Sequence, residues 1–206
     1  MIILAMEWLW TAVRSKWCDV SDIHLIHVHF LCAPSGPPSE EDCVADIDAA
    51  YNYLRYTLKI PPQNIVLYGR SLGSGPSCHL AAKTALVKGE VPVGGLILHA
   101  PFLSVFRVVL DTGCTLPGDK FPNVDVISMV QSPVLLIHGT SDQIVPFSHS
   151  ARLHNVIPEE YRARPLYIEG MTHNNVHPQV RPMFVDRLTD YLEKNVWPSA
   201  VSASGA

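Results

Sequence analysis

The sequence predicts an α/β fold, a mostly parallel sheet with helices on both faces. Three observations carry this. Short unbroken apolar runs recur at residues 65–68, 95–98, 134–137 and 166–168. Helical patterns separate them, and a continuous apolar run between helices reads as a strand buried on both sides. Polar and glycine residues then cluster just past the C-terminal ends of three runs, where such sheets carry their functional groups. The chain has 206 residues, enough for one domain with its own core.

The elements can be taken in order. Residues 1–17 read as a short helix packing Trp8, Trp10 and Trp17. Residues 24–33 are apolar and β-rich, so a strand is expected. His27 and His29 share one face of it, a spacing that suits a metal, but no third ligand stands nearby and no metal site is expected. Residues 34–38 form a turn. Ser39 then caps a helix whose first turn holds Glu40, Glu41 and Asp42, acids that suit the positive end of the helix dipole. Val44, Ile47, Tyr51, Leu54 and Leu58 make its apolar stripe, and Pro61-Pro62 ends it. After the strand at 65–68, a helix over 76–87 stops near Gly89. Strands follow at 95–100, 133–138 and 166–168, and a closing helix covers 182–194. Residues 1–34 form an atypical N-terminal segment, 35–196 the domain and 197–206 a flexible tail.

Composition narrows the function. A net charge of −4 offers no basic footprint, so no nucleic-acid partner is expected. The five cysteines (Cys18, Cys32, Cys43, Cys78, Cys114) include no Cys-x-x-Cys pair, which reads as reduced thiols in a cytoplasmic protein. Residues 1–13 are apolar but shorter than the roughly 18 residues of a membrane span. They also lack the basic leader of a signal peptide. No phosphate loop, metal cluster or cofactor motif is present, so no cofactor is expected.

The most informative stretch is Gly69-Arg70-Ser71-Leu72-Gly73. It sits between a buried strand and a helix, the context in which Gly-x-Ser-x-Gly forms a nucleophile elbow. Glycines at both ends fit because a sharp strand-to-helix turn crowds out Cβ atoms. Ser71 is the candidate nucleophile, and the backbone N–H of Leu72 is a candidate oxyanion donor. A serine hydroxyl needs a base and a group to orient that base. Two later strands lead into suitable residues, Asp142 after 133–138 and His173 after 166–168. Alone, Asp142 fits a turn acid and His173 a loop histidine. Together with Ser71 at neighbouring strand ends they fit a catalytic triad, with His173 as base and Asp142 as orienter. His149, His154 and His177 are rival histidines. His79 and His99 read as packing residues.

A resemblance follows from residues 46–51 (Asp-Ile-Asp-Ala-Ala-Tyr), the elbow with Tyr68 and Ser74-Gly75-Pro76, Phe121-Pro122-Asn123, residues 132–142 and residues 169–174. In combination these resemble the α/β-hydrolase-domain branch that contains the protein depalmitoylases, often labelled serine aminopeptidase-like or prolyl-oligopeptidase-like. The match runs over about 35–196. It implies an α/β-hydrolase fold, a serine hydrolase with Ser71, Asp142 and His173 as its triad, and an acylated protein or a small ester or thioester as substrate. For the depalmitoylases it implies thioester cleavage of S-acylated cysteines and peripheral membrane association. Arg70 departs from that branch, where glutamine is usual before the serine.

Upstream of the elbow the pattern thins. Gly36 is the one glycine before Gly69, and the only His-Gly, His138-Gly139, belongs to the later acid strand. The family's first strands and the loop that supplies its second oxyanion donor are therefore expected to be absent, or replaced by other sequence, in residues 1–33. The fold is expected to be N-terminally incomplete. Phe102, Leu103, Val105, Phe106, Val109 and Leu110 are either walls of an acyl pocket or a helix packing on the domain. Residues 111–120 should be exposed. Two alternatives to an esterase or thioesterase stay open: a serine peptidase of the aminopeptidase-like kind, and a catalytically impaired member without its oxyanion loop.

Overall fold

The computed structural model describes the backbone of residues 24–28 and residues 39–110, 112–176 and 178–197. Among the described residues, five strands, β1 (His24–Val28), β2 (Ile65–Arg70), β3 (Gly95–His99), β4 (Val134–Gly139) and β5 (Leu166–Ile168), form one sheet in sequence order. Every neighbouring pair is parallel. All the strand C-termini therefore point to one edge, so residues that follow β2, β4 and β5 gather there.

Continuous apolar runs are explained by what covers each face. A strand alternates its side chains between faces. Ile65, Leu67, Leu96, Leu98, Val134 and Leu136 pack on one side against Ile47, Tyr51, Leu80, Ala81 and Leu153. These belong to α1 (Glu40–Asn52), α2 (Ser74–Leu86) and α5 (Phe147–Val156). Val66, Tyr68, Ile97, Leu135 and Ile137 pack on the other side against Phe184, Val185, Leu188 and Tyr191, which belong to α6 (Arg181–Tyr191). A strand covered on both sides has no polar face to show. The expected α/β architecture with helices on both faces is what the chain adopts.

Local chemistry explains the element ends. The Ser39 hydroxyl accepts from the Asp42 N–H at 3.0 Å, capping α1 as its sequence indicates. Cys43, Ile47 and Tyr51 of α1 are buried. Leu58, expected on the same stripe, is 49% exposed. The reason is a π-turn over Tyr53–Thr57, in which the Leu58 N–H donates to Tyr53 at i−5. The wider turn rotates Leu58 off the stripe. α2 begins two residues earlier than expected. Its inner face is built from small residues, including Gly75, Ser77, Ala81 and Ala82, so it lies close on the sheet. A Cβ on Gly75 would stand 2.4 Å from the Phe121 ring.

α6 carries one polar anchor to the sheet. The Tyr191 hydroxyl donates to the Pro133 carbonyl at 2.7 Å and accepts from the Leu96 N–H at 3.1 Å, tying the starts of β3 and β4 to the helix. Among the described residues, the segment between β3 and β4 holds two short α-helices, α3 (Val105–Val109) and α4 (Asn123–Val126), and a 3₁₀ turn over Ile127–Met129. Residues 112–120 are mostly exposed, as expected.

Several expectations fall on residues outside those described. They concern Trp8, Trp10, Trp17, His29, Gly36, His177, Cys18, Cys32, residues 29–33 of the first strand and residues 198–206 of the tail. The His27 side chain lies outside them too. Cys43, Cys78 and Cys114 are free thiols. Among the described residues, no helix is long and apolar enough to cross a membrane.

Candidate active site

β2 runs into Gly69 and Arg70, and the chain then reverses within one residue. Ser71 has φ +50°, the left-handed region that disfavours any residue with a Cβ. A single 3₁₀ turn, Ser71–Gly73, leads directly into α2. A Cβ on Gly69 would lie 2.5 Å from the Gly73 carbonyl oxygen and 2.7 Å from the Ser77 hydroxyl, so only glycine fits there. This is the tight strand–turn–helix expected from the motif. Leu72 lies in the opening turn of the helix, where the first N–H groups have no partner within the helix. Its side chain is exposed.

The three expected residues come together. His173 Nε2 is 3.0 Å from the Ser71 hydroxyl, and His173 Nδ1 is 2.7 Å from Asp142 Oδ2. A carboxylate can only accept, so Nδ1 carries the hydrogen and Nε2 faces Ser71 as an acceptor. His173 is 8% exposed, which shields the contact from competing water. The rival His149 and His154 fall on α5. His149 Nδ1 accepts from the Leu103 N–H at 3.1 Å.

The Asp142 carboxylate is fully engaged. Its Oδ1 accepts from the N–H groups of Ile144 and Val145, each at 2.9 Å. Burial alone would push this carboxyl up, but hydrogen bonds from His173, Val145 and Ile144 outweigh it and hold its pKa below the ordinary value. Asp142 therefore stays ionised.

One partner of Asp142 was not expected from the sequence. His138, at the end of β4, approaches Asp142 Oδ2 with its Nε2 at 3.3 Å and the Val145 carbonyl with the same nitrogen at 3.0 Å. The carbonyl can only accept, so Nε2 carries the hydrogen. His138 Nδ1 then accepts from the Ser150 hydroxyl at 2.6 Å. Burial, foremost, lowers the His138 pKa, against the opposing pull of Val145 and Asp142. His138 is a neutral donor holding the acid loop. The signal in the sequence was a histidine closing an apolar strand four residues before the candidate acid.

The acid loop is zipped to the histidine loop by backbone hydrogen bonds. Thr140 N–H donates to Ile168 at 3.0 Å, and Ser141 N–H donates to Met171 at 3.1 Å. Gly139 makes this approach feasible, because a Cβ there would lie 2.0 Å from the Met171 carbonyl oxygen.

The remaining expectations divide. His99 is buried, with Nδ1 2.8 Å from the Tyr68 hydroxyl, as a packing residue would be. His79 is exposed on α2, because its position points away from the sheet. The expected acyl-wall set splits. Phe102 and Leu103 are buried in the core, whereas Val109 and Leu110 are 82% and 57% exposed, since α3 is one short turn that cannot bury both of its sides. The expected absence of the loop with the second oxyanion donor concerns residues 1–33, of which only the backbone of 24–28 is described. Among the described residues, no cluster of His, Cys, Asp or Glu could hold a metal ion.

Comparisons with known proteins bear on the fold. No protein-family model matches the chain. The chain is 39% identical over 159 residues to alpha/beta hydrolase domain-containing protein 17C of Mus musculus, covering 77% of this chain and 46% of that protein. It is 38% identical over 165 residues to protein 17B of the same name from Homo sapiens, covering 80% and 54%. The chain thus spans about half the length of the curated relatives it matches. Among solved structures, Est1E from Butyrivibrio proteoclasticus with ferulic acid bound superposes with a TM-score of 0.65 at 15% identity, covering 95% of this chain and 86% of that one. With a parallel sheet of this order, an elbow at the end of β2 and these relatives, the chain belongs to the α/β-hydrolase superfamily.

Proposed function

We propose that the chain is a serine hydrolase that cleaves acyl esters or thioesters by acyl transfer. The observation that carries this is the unbroken hydrogen-bond line from Ser71 through His173 to an ionised Asp142, set on an elbow with φ +50° at the serine. His173 takes the Ser71 proton as the hydroxyl attacks the substrate carbonyl, forming a tetrahedral oxyanion. The N–H of Leu72 donates to that oxyanion. As the intermediate collapses, His173 returns the proton to the leaving alcohol or thiol, and Ser71 holds the acyl group as an ester. Water, deprotonated by His173, then releases the acid and restores the serine. Asp142 keeps the imidazole in the productive tautomer and stabilises its charged form.

The substrate is an S-acylated protein, and the activity depalmitoylation. The resemblance to the depalmitoylase branch supports this, and similarity to the alpha/beta hydrolase domain-containing proteins 17B and 17C supports the coarser reading of a hydrolase. The test is a fluorophosphonate probe on purified protein with Ser71→Ala as control. Labelling that depends on Ser71 is expected, and its absence would sink the catalytic role. Palmitoyl-thioester and aminoacyl-amide substrates then separate a thioesterase from a peptidase, with the thioester expected to turn over faster.

A further inference from the structure

The base and the nucleophile come from strands that are not neighbours. β2 and β5 have β3 and β4 between them, and three strand spacings span roughly 14 Å. The loop after β5 must reach back over two strand ends for His173 to meet Ser71. On its β4 side it is held by the backbone bonds to Thr140 and Ser141. Beyond β4 it continues with His173 and the exposed Asn174.

Arg70 meets it from the other side. This half-buried residue ends β2 and directly precedes the nucleophile. One nitrogen of its guanidinium donates to the His173 backbone carbonyl at 2.5 Å and to Asn174 Oδ1 at 3.0 Å. The two partners lie 103 and 104 residues further along the chain. A charged donor makes these stronger than neutral hydrogen bonds. The guanidinium is a planar, pre-organised fork, so little freedom is lost for each hydrogen bond it makes.

We infer that Arg70 is a positioning residue, a latch that fixes the loop bearing His173 to the strand bearing Ser71 and so holds Nε2 in line with the hydroxyl. It touches neither the reacting atoms nor the substrate in this role. The latch acts on the backbone of the base itself, so its loss displaces the imidazole without removing it. This rests on the proposed roles of Ser71 and His173, and the experiment separates the two claims.

The test compares wild type with Arg70→Ala by amide hydrogen exchange and by the rate of fluorophosphonate labelling. In the variant, exchange in residues 169–176 should quicken by about tenfold while β4 keeps its protection, and labelling should slow by about tenfold or more. Added guanidinium ion at non-denaturing concentration should restore part of the labelling rate, which a merely structural loss would not allow. If Arg70→Ala does not fold, Asn174→Ala, at an exposed position, removes one of the two contacts and should show the same changes on a smaller scale. Unchanged loop exchange together with an unchanged labelling rate overturns the latch. A wild type that fails to label overturns the nucleophile role alone, and the exchange comparison still judges the latch.

Discussion

His138 and His173 both direct a ring nitrogen at Oδ2 of Asp142, at 3.3 and 2.7 Å. The two imidazoles differ in what their other nitrogen meets. His173 faces the Ser71 hydroxyl, whereas His138 faces Ser150 on α5. One histidine is thus available to exchange a proton with a reacting hydroxyl, and the other is committed to buried partners on both nitrogens. With two backbone N–H donors on Oδ1, the carboxylate has its lone pairs filled by groups that fix its plane.

Replacing Ser71 with alanine should lower turnover of an acyl ester or thioester by at least about 1000-fold, because the members of a triad act as a unit. His173→Ala should lose about as much, and the double variant little more than either. Single-turnover kinetics with a chromogenic ester check this. Additive losses in the double variant would argue against a shared proton path.

His138→Ala should destabilise the fold by about 1–3 kcal/mol, since it leaves buried Ser150 and Val145 groups without their partner. Urea unfolding measures it. His138→Gln, which keeps one donor and one acceptor, should recover part of the loss. If alanine and glutamine are equally harmful, the loss comes from packing and not from the hydrogen bonds.

Burial holds the folded pKa of His138 below its unfolded value. The unfolded chain therefore binds the proton first as pH falls. Stability from this group is full above the ordinary imidazole value and declines as pH drops below it, until the folded group titrates too. His154, lowered by burial and by Arg162, acts in the same direction. Urea midpoints should fall between pH 7 and pH 5, and His138→Gln should flatten part of that slope.

Asp142 gives a second and more acidic window. Its folded pKa is depressed, so its contribution is present above the ordinary carboxyl value and is lost as pH falls through the folded one. Asp142→Asn should therefore destabilise the protein at neutral pH and cost progressively less below about pH 4. A stability difference independent of pH would show that the carboxylate charge is immaterial to the fold.

Gly69→Ala and Gly75→Ala add the same methyl to opposite kinds of neighbour. At Gly69 the clash is with backbone, the Gly73 carbonyl at 2.5 Å, and at Gly75 with the Phe121 ring at 2.4 Å. Overpacking of this kind costs about 1–3 kcal/mol. Gly69→Ala should also slow probe labelling steeply, because the elbow must shift with it. Gly75→Ala should lower the melting temperature while labelling persists.

Much of this molecule was legible in its sequence, for a reason tied to period and order. Strands buried on both sides, such as residues 65–68 and 134–137, need unbroken apolar runs. A sharp turn needs glycine beside its serine. In a parallel sheet, residues that follow strands are delivered to one edge whatever the loops do, so the meeting of Ser71, Asp142 and His173 is implicit in the order of the strands. Leu58 escaped this logic, because a π-turn depends on how the chain leaves α1 and not on the spacing of apolar residues.

The sequence by itself determined the parallel α/β sheet, the elbow and the residues that meet there. Only the tertiary structure decided how they are held. Arg70 finds its partners 103 and 104 residues away. His138 turns toward Asp142, and Gly139 admits the Met171 carbonyl. A local pattern records which face a residue shows to its own element. It carries no record of which distant backbone will come within hydrogen-bond reach, because that distance is set by the packing of the whole sheet.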